Sequence, residues 1–280
     1  MNFSKKILMN KYLFPVESTV PTSYTTQRLV TVSAGNYSVY TVPEDGWYRV
    51  EVVGAGGNNG VNAGGGGIGA ARTQVVYLYQ GQKCLLWAGA IGVGCAYPGT
   101  QTSELGGRGA YGIDESGAGA GGPAISPTSA PHWEGGAAGQ GSGFLAGFTL
   151  PSVENYAITV GSLTRTINYH LDTTAVDFLA ISVYVLAGGG GGGPSDNGGW
   201  RAGGGGGGAL GNGGTTTYGS GSTSGPAGSW GKGSDSATFA DGGQGAWAVL
   251  DFSTNTASWG NGGGAARTAG HVYLDKVIPS

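Results

Sequence analysis

Apolar and polar residues alternate along several short stretches of the chain, and no stretch shows the 3.6-residue apolar spacing of an amphipathic helix. Strict alternation over about four to eight residues is typical of a β-strand with one buried face. The alternating stretches cover residues 47–53, 75–79, 156–160, 167–171 and 181–186. The pattern therefore predicts an all-β fold.

Glycine-rich tracts separate the predicted strands and are too long to be simple turns. They occupy roughly residues 54–70, 106–147, 187–234 and 241–264. Predicted strands run directly into the first and the third of these tracts. We therefore expect the tracts to be ordered parts of the fold, in contrast to flexible glycine-serine linkers between domains.

Two of the tracts are followed by similar sequences. Residues 70–78 read AARTQVVYL, and residues 265–274 read AARTAGHVYL. A repeated succession of strand, glycine insert and strand indicates repeated structural units. We therefore divide the chain into an extended N-terminal arm, residues 1–25, a first β/glycine-rich module, residues 26–147, and a second module with a long polyglycine insert, residues 148–280.

Composition supports a folded protein despite the glycine content. Of the 280 residues, 62 are glycine and 11 are proline, a share at which disorder is the usual interpretation. Disordered chains, however, combine few aromatic residues with high net charge. Here 39% of the residues are hydrophobic, 10% are aromatic, and the net charge is only −3. The chain has enough apolar side chains to build a core.

Ordered glycine runs need a compensating interaction, because each glycine loses more backbone entropy on folding than alanine does. The difference is about 0.5–1 kcal/mol of folding free energy per residue. Helices of the polyproline-II type provide one. They have about three residues per turn and no internal hydrogen bonds, so neighbouring glycine helices can pack closely and bond to each other through their backbones. Collagen is excluded because the glycines follow no three-residue repeat.

The stretch at residues 40–57, which ends in Gly-Ala-Gly-Gly, resembles the start of the glycine-rich domains of bacteriophage tail fibres and adhesins. In that family a second strand closes the glycine insert and is often followed by Gly-Gln, which stand here as Gly81 and Gln82. The resemblance covers residues 36–95 well and residues 178–280 more loosely.

The resemblance implies jelly-roll-like β-sheet modules that carry packed polyglycine helices of the polyproline-II type. It also implies a structural protein of the virion, assembled in the host cytoplasm, that acts as a tail fibre or a receptor-binding adhesin. The alternatives are a capsid or tail decoration protein without a ligand, and a secreted glycine-rich surface or matrix protein. The resemblance brings neither catalytic residues nor a cofactor.

Aromatic residues within the glycine tracts are the candidate receptor contacts, since aromatic rings provide large contact areas at low entropic cost. The alternative is that these rings shield the ends of a glycine layer. The candidates are Tyr97, Tyr111, Trp133, Trp200, Tyr218 and Trp230.

Partners are expected at both the arm and the glycine tracts. The arm, residues 1–25, is apolar and has two prolines but no strand alternation, so we expect it to anchor the chain to other virion proteins. A host cell-surface glycan or outer-membrane protein is the expected receptor, and a homo-oligomer is the expected assembly. The chain's 13 Lys and Arg residues form no cluster suited to nucleic acid, and no apolar stretch approaches the roughly 20 residues of a membrane helix.

Sequence motifs for catalysis or metal binding are lacking. Apparent dinucleotide and phosphate-loop patterns in the glycine tracts miss required residues. The three histidines, His132, His170 and His271, lie far apart and lack zinc-ligand spacing. Cys84 and Cys95 are interpreted as buried free thiols, although a disulfide between them stays open. We therefore expect no enzymatic activity, no cofactor and no metal.

Overall fold

The computed structural model describes residues 19–57, 66–91, 139–147, 155–160, 163–168, 181–190, 216–218, 221–223, 245–251, 256–261 and 268–280. Every helix or strand element within these ranges is a β-strand. The all-β fold predicted from the alternating pattern is therefore confirmed for the described part of the chain.

The described ranges contain fourteen strands. They are β1 (Tyr24–Ser33), β2 (Tyr37–Thr41), β3 (Gly46–Val53), β4 (Ala71–Leu78), β5 (Lys83–Trp87), β6 (Ser142–Gly147), β7 (Asn155–Val160), β8 (Leu163–Asn168), β9 (Ile181–Ala187), β10 (Thr216–Tyr218), β11 (Gly221–Thr223), β12 (Ala246–Asp251), β13 (Thr256–Asn261) and β14 (His271–Pro279).

Two larger antiparallel sheets contain most of these strands. One has four strands in the order β1-β14-β3-β4, and the other has six in the order β13-β12-β9-β6-β5-β2. The remaining strands form two hairpins, β7–β8 and β10–β11. The pairing in β1 is irregular between Arg28 and Val30.

The two sheets pack face to face around one hydrophobic core. Alternate residues of β3, among them Val50 and Val52, face Leu86, Phe144 and Val185 of the six-stranded sheet, and all of these are buried. Burying an aliphatic or aromatic side chain of this size contributes roughly 1.5–3 kcal/mol. The alternation seen in the sequence therefore corresponds to one core-facing side of each strand.

Both halves of the chain contribute strands to each sheet. β14, from the C-terminal part, lies between β1 and β3, and β6 pairs with β9. The similar sequences at 70–78 and 265–274 lead into β4 and β14, the two neighbours of β3. Residues 26–147 and 148–280 thus interleave in the sheets. β1 begins at Tyr24, inside the predicted arm of residues 1–25.

Candidate functional surfaces

The glycine-rich tracts leave and rejoin the sheets at one end of the sandwich. β3, β5 and β9 run into glycine segments, and β4, β6 and β12 begin directly after them. The strand pairs Val53–Ala71 and Ser142–Ala187 lie at this end. At the other end Tyr24 pairs with Pro279. The described glycine segments and residues Tyr24 and Pro279 therefore lie at opposite ends of the fold.

Backbone hydrogen bonds join the glycine segments to one another. The four successive N–H groups of residues 54–57 donate to three neighbouring segments, over 2.8–2.9 Å. The first and the fourth bond to residues 66–70, the second to residues 139–141, and the third to residues 268–270. Donation thus returns to the same neighbour after three residues, whereas a β-strand alternates between two sides.

Further bonds extend this arrangement to other segments. Residues 188–190 accept hydrogen bonds from the N–H groups of Ala70 and Gly139 and donate one to the carbonyl oxygen of Ala55, each with an N···O distance of 2.8 Å. Gly270 donates to Gly89 over 3.0 Å. We call the joined segments the glycine layer, which comprises residues 54–57, 66–70, 88–90, 139–141, 188–190, 245 and 268–270.

The glycine layer is packed too closely for side chains at several positions. A Cβ atom on Gly69 would lie 1.9 Å from the carbonyl oxygen of Gly54, and one on Gly189 would lie 1.9 Å from the carbonyl oxygen of Gly139. Both obstructing atoms belong to the backbone, so no side-chain rotation can relieve the clash. Glycine at these positions therefore permits the close approach of neighbouring backbones.

The predicted receptor-contact residues lie in stretches that begin and end in the glycine layer. Their positions fall between residues 90 and 139 or between residues 190 and 245. The structure describes Tyr218 only as the backbone at the end of β10. The others, Tyr97, Tyr111, Trp133, Trp200 and Trp230, lie outside the described residues.

A charged cluster spans three strands on the outer face of the four-stranded sheet. The Asp275 carboxylate, only 2% exposed, accepts a hydrogen bond from Arg28 and a second from Arg49 over 2.9 Å. Arg49 also donates to Glu51 over 2.5 Å, and Glu51 lies 3.4 Å from His271. Burial lowers the pKa of the Arg49 guanidinium, but the hydrogen bonds to the two carboxylates outweigh this effect and raise it. Both carboxylates are thus paired with cations.

Aromatic rings lie on the same outer face. Trp47 and Tyr77 meet edge to face with ring centres 5.3 Å apart. The Tyr273 ring has the Arg28 guanidinium 3.7 Å from its centre and the His271 ring 4.5 Å away. Cation–π contacts of this kind contribute about 0.5–1 kcal/mol at exposed sites. These contacts link side chains of β3 to β4 and of β1 to β14 on the outer face.

Sequence reasoning did not predict this cluster. Arg49 and Glu51 occupy alternate positions of a predicted strand, which places them on one face. Asp275, the partner of Arg49, lies 226 residues away from it in sequence, and Arg28, the other partner of Asp275, lies 247 residues from Asp275. The alternation identifies a face but not the neighbouring strand, so no local signal could have joined these residues.

Cys84 is a free thiol buried in the core. The expectation of a buried free thiol is confirmed for this residue, while Cys95 lies outside the described residues. Burial raises the pKa of the Cys84 thiol well above its ordinary value. The neutral thiol therefore contributes stability that is fully present below the ordinary thiol pKa and is lost as the pH rises toward the folded-state value.

We expect iodoacetamide at pH 8 to alkylate Cys84 at least ~100-fold more slowly in the folded protein than in urea, because the thiolate is the reactive form and forms only after opening of the core. The measurement uses a Cys95→Ser variant, in which Cys84 is the only thiol. Mass spectrometry follows the modification over time. Similar rates with and without urea would contradict burial of the thiol.

The described ranges contain no group of three or more His, Cys, Asp or Glu residues placed to hold a metal ion. They also contain no helix that could cross a membrane. No protein-family model matches the chain, and the search of curated proteins finds no match. The resemblance to phage glycine-rich domains therefore depends on the residues quoted for it.

Proposed function

We propose that the chain is a non-enzymatic structural protein of a bacteriophage particle, a tail fibre or receptor-binding adhesin. In this proposal the N-terminal arm attaches the protein to other virion proteins, and the glycine-rich end faces the host cell. A host cell-surface glycan or outer-membrane protein is the receptor. The resemblance at residues 40–57 suggests the class of protein, and the proposal adds which end of the fold attaches to the particle and which end meets the host.

The separation of the two ends of the fold carries this proposal. The first described strand, β1, begins beside Pro279 and reaches the glycine end after ten residues. At roughly 3.3 Å per residue, the two ends lie about 33 Å apart. A protein attached through the end where the arm meets β1 would therefore hold its glycine-rich inserts away from the attachment.

We further propose that the segments of the glycine layer are helices of the polyproline-II type and that the two sheets form a jelly-roll-like sandwich. The return of hydrogen bonds to the same neighbour after three residues in 54–57 supports the helices, since three residues make one turn of this helix. The close backbone contacts at Gly69 and Gly189 support side-by-side packing of such helices.

A packed glycine layer provides a rigid base for recognition. Binding residues are commonly displayed on loops held by a rigid scaffold. The stretches with the candidate aromatic residues are tethered at both ends to the layer, as at Ala90 and Gly139 or at Gly190 and Gly245. The proposed receptor contacts in these stretches are Tyr97, Tyr111, Trp133, Trp200, Tyr218 and Trp230.

A protein that lacks residues 1–18 is expected to separate attachment to the particle from binding to the host cell. It should remain folded, since β1 begins only at Tyr24, and bind host cells like the full chain. It should no longer enter particles. Binding is measured with fluorescently labelled protein, and incorporation by quantifying the protein in purified particles assembled with each form.

Two variants test which end of the fold meets the host cell. Trp200→Ala should weaken cell binding about tenfold, a typical loss at a central contact, whereas Tyr24→Ala at the opposite end should not. A full chain that binds particles but never cells would favour a decoration protein. Normal incorporation of the shortened chain would show that the attachment lies on the sheets.

A further inference from the structure

β2 is the last strand of the six-stranded sheet, and its apolar side chains are exposed on the face that points away from the other sheet. Its neighbour in the sheet is β5, in a register that pairs Tyr37 with Trp87 and Thr41 with Lys83. Tyr37 is 42% exposed and Val39 is 39% exposed. An exposed edge strand of this kind can pair with a strand of another chain.

The backbone of β2 directs hydrogen-bonding groups toward its free side. Ala88 N–H donates to the Asn36 carbonyl over 3.0 Å, and Val42 N–H donates to the Gln82 carbonyl over 2.8 Å. Bonded and non-bonded pairs alternate along an antiparallel ladder, so the even-numbered residues of β2 bond to β5. Val39, in the middle of β2, therefore points its N–H and C=O groups away from β5.

The features that commonly protect an edge strand are lacking in β2. Natural sheets shield their edges with charged side chains, proline or a β-bulge. Residues 33–42 contain neither a charged residue nor proline, and the pairing of β2 with β5 is regular. By contrast, β1 at an edge of the other sheet carries Arg28 and has irregular pairing directly after it. The β2 edge is therefore open to a further strand.

A second copy of the chain supplies a matching edge. In antiparallel pairing about a two-fold axis at Val39, the Val39 N–H of each copy donates to the Val39 carbonyl of the other. The apolar row formed by Val39, Leu85 and Leu145 then continues into the same row of the second copy. An axis nearer to Thr41 would bring Pro43, which has no N–H, into the ladder.

We propose that two copies of the free protein pair antiparallel through β2 about a two-fold axis at Val39. Their six-stranded sheets then form one continuous sheet, and the exposed Val39 side chains cover each other. Antiparallel pairing reverses one copy relative to the other, so the two glycine layers lie at opposite ends of the dimer. In the particle proposed above these layers all face the host, so the dimer belongs to the protein before assembly. The inference is independent of that function.

Sedimentation equilibrium of the full chain over a range of concentrations measures the mass of the assembly. A pair of five-residue strands is smaller than a standard interface, so we expect a reversible dimer that forms in the micromolar range or above. The mass of a single chain at every concentration would overturn the proposal. Masses that rise beyond two chains would indicate head-to-tail pairing with a different edge and would also overturn it.

Proline substitutions at two edge strands test the position of the contact. Val39→Pro removes an N–H that points away from β5, and proline is tolerated at such edge positions, so the variant should fold but dimerise at least ~10-fold more weakly. Thr73→Pro is the matched control. Gly54 N–H donates to the Ala70 carbonyl, so Thr73 of the edge strand β4 also points its N–H away from its neighbour. Equal dimerisation of the two variants would overturn the proposal.

Cysteine cross-linking tests the two-fold axis and applies even if Val39→Pro does not fold. In a Cys95→Ser background, Val39→Cys should form a disulfide-linked dimer in a glutathione buffer, because bonded partners of an antiparallel ladder have Cα atoms about 5.5 Å apart. Thr73→Cys should remain reduced in the same buffer, and Cys84 is buried. Cross-linking of Thr73→Cys as fast as that of Val39→Cys would overturn the proposal.

Discussion

Gly189→Ala is expected to lower the free energy of unfolding by at least about 3 kcal/mol or to prevent folding altogether. The added Cβ atom would lie 1.9 Å from the carbonyl oxygen of Gly139, in a layer of backbones. Overpacking a core usually costs about 1–3 kcal/mol when side chains can adjust, and here only backbone could move. Separation of these backbones would also break the bond from Gly139 N–H to the Gly190 carbonyl.

The matched control for this substitution is Gly81→Ala. Gly81 has a φ of 84° but nothing within 4 Å of an added Cβ atom. The left-handed conformation costs a non-glycine residue about 1–2 kcal/mol, so this variant should remain folded. Urea unfolding followed by far-ultraviolet circular dichroism compares the two. Equal losses would show that the glycine layer is not closely packed in solution.

Asp275→Asn is expected to cost about 2–3 kcal/mol, the second-largest effect. The amide cannot balance the positive charges of Arg28 and Arg49, which meet at this buried position. Removing one partner of a fully buried ion pair costs roughly 3–5 kcal/mol. The smaller value is expected here because the Arg28 and Arg49 side chains are partly exposed, at 43% and 25%.

Glu44→Gln is the corresponding control. Glu44 pairs with Lys276 over 2.9 Å, but its side chain is 68% exposed. Exposed ion pairs contribute about 0–1 kcal/mol, so this variant should unfold close to the unmodified protein. Thermal and urea unfolding of both variants at pH 7 provide the measurement. A loss at Glu44 as large as that at Asp275 would contradict the special role of the buried carboxylate.

The local features of this fold could be predicted from the sequence, because alternation and glycine clustering act over a few residues. The strand at residues 47–53 and its continuation into Gly54 are found where the pattern places them. The alternating pattern at residues 181–186 predicted a strand with one buried face, but consecutive residues 183–187 of β9 are all buried. The run ISVYVLA is apolar at nearly every position, as is typical of a strand buried on both faces.

The long-range features could not be predicted. Alternation places Arg49 on a face but does not identify Asp275 as its neighbour, and the glycine segments lack the side chains that would distinguish one partner from another. Which glycine segments become neighbours is set by the sheets, because each segment starts where its flanking strand ends. Gly188, for example, directly follows Ala187, the last residue of β9. For the same reason, the sequence does not reveal that strands from residues 26–147 and from residues 148–280 lie in the same sheets.

The position of β14 has a consequence for the order in which the protein is made. β14 lies between β1 and β3, so the four-stranded sheet can close only after residues 271–279 have been synthesised. Until then, a ribosome-bound chain has two strands with unpaired backbone edges, a state that favours aggregation. Premature termination before His271 would leave these edges open permanently. Productive folding therefore depends on the arrival of β14, and slow translation of residues 271–279 would lower the yield of soluble protein.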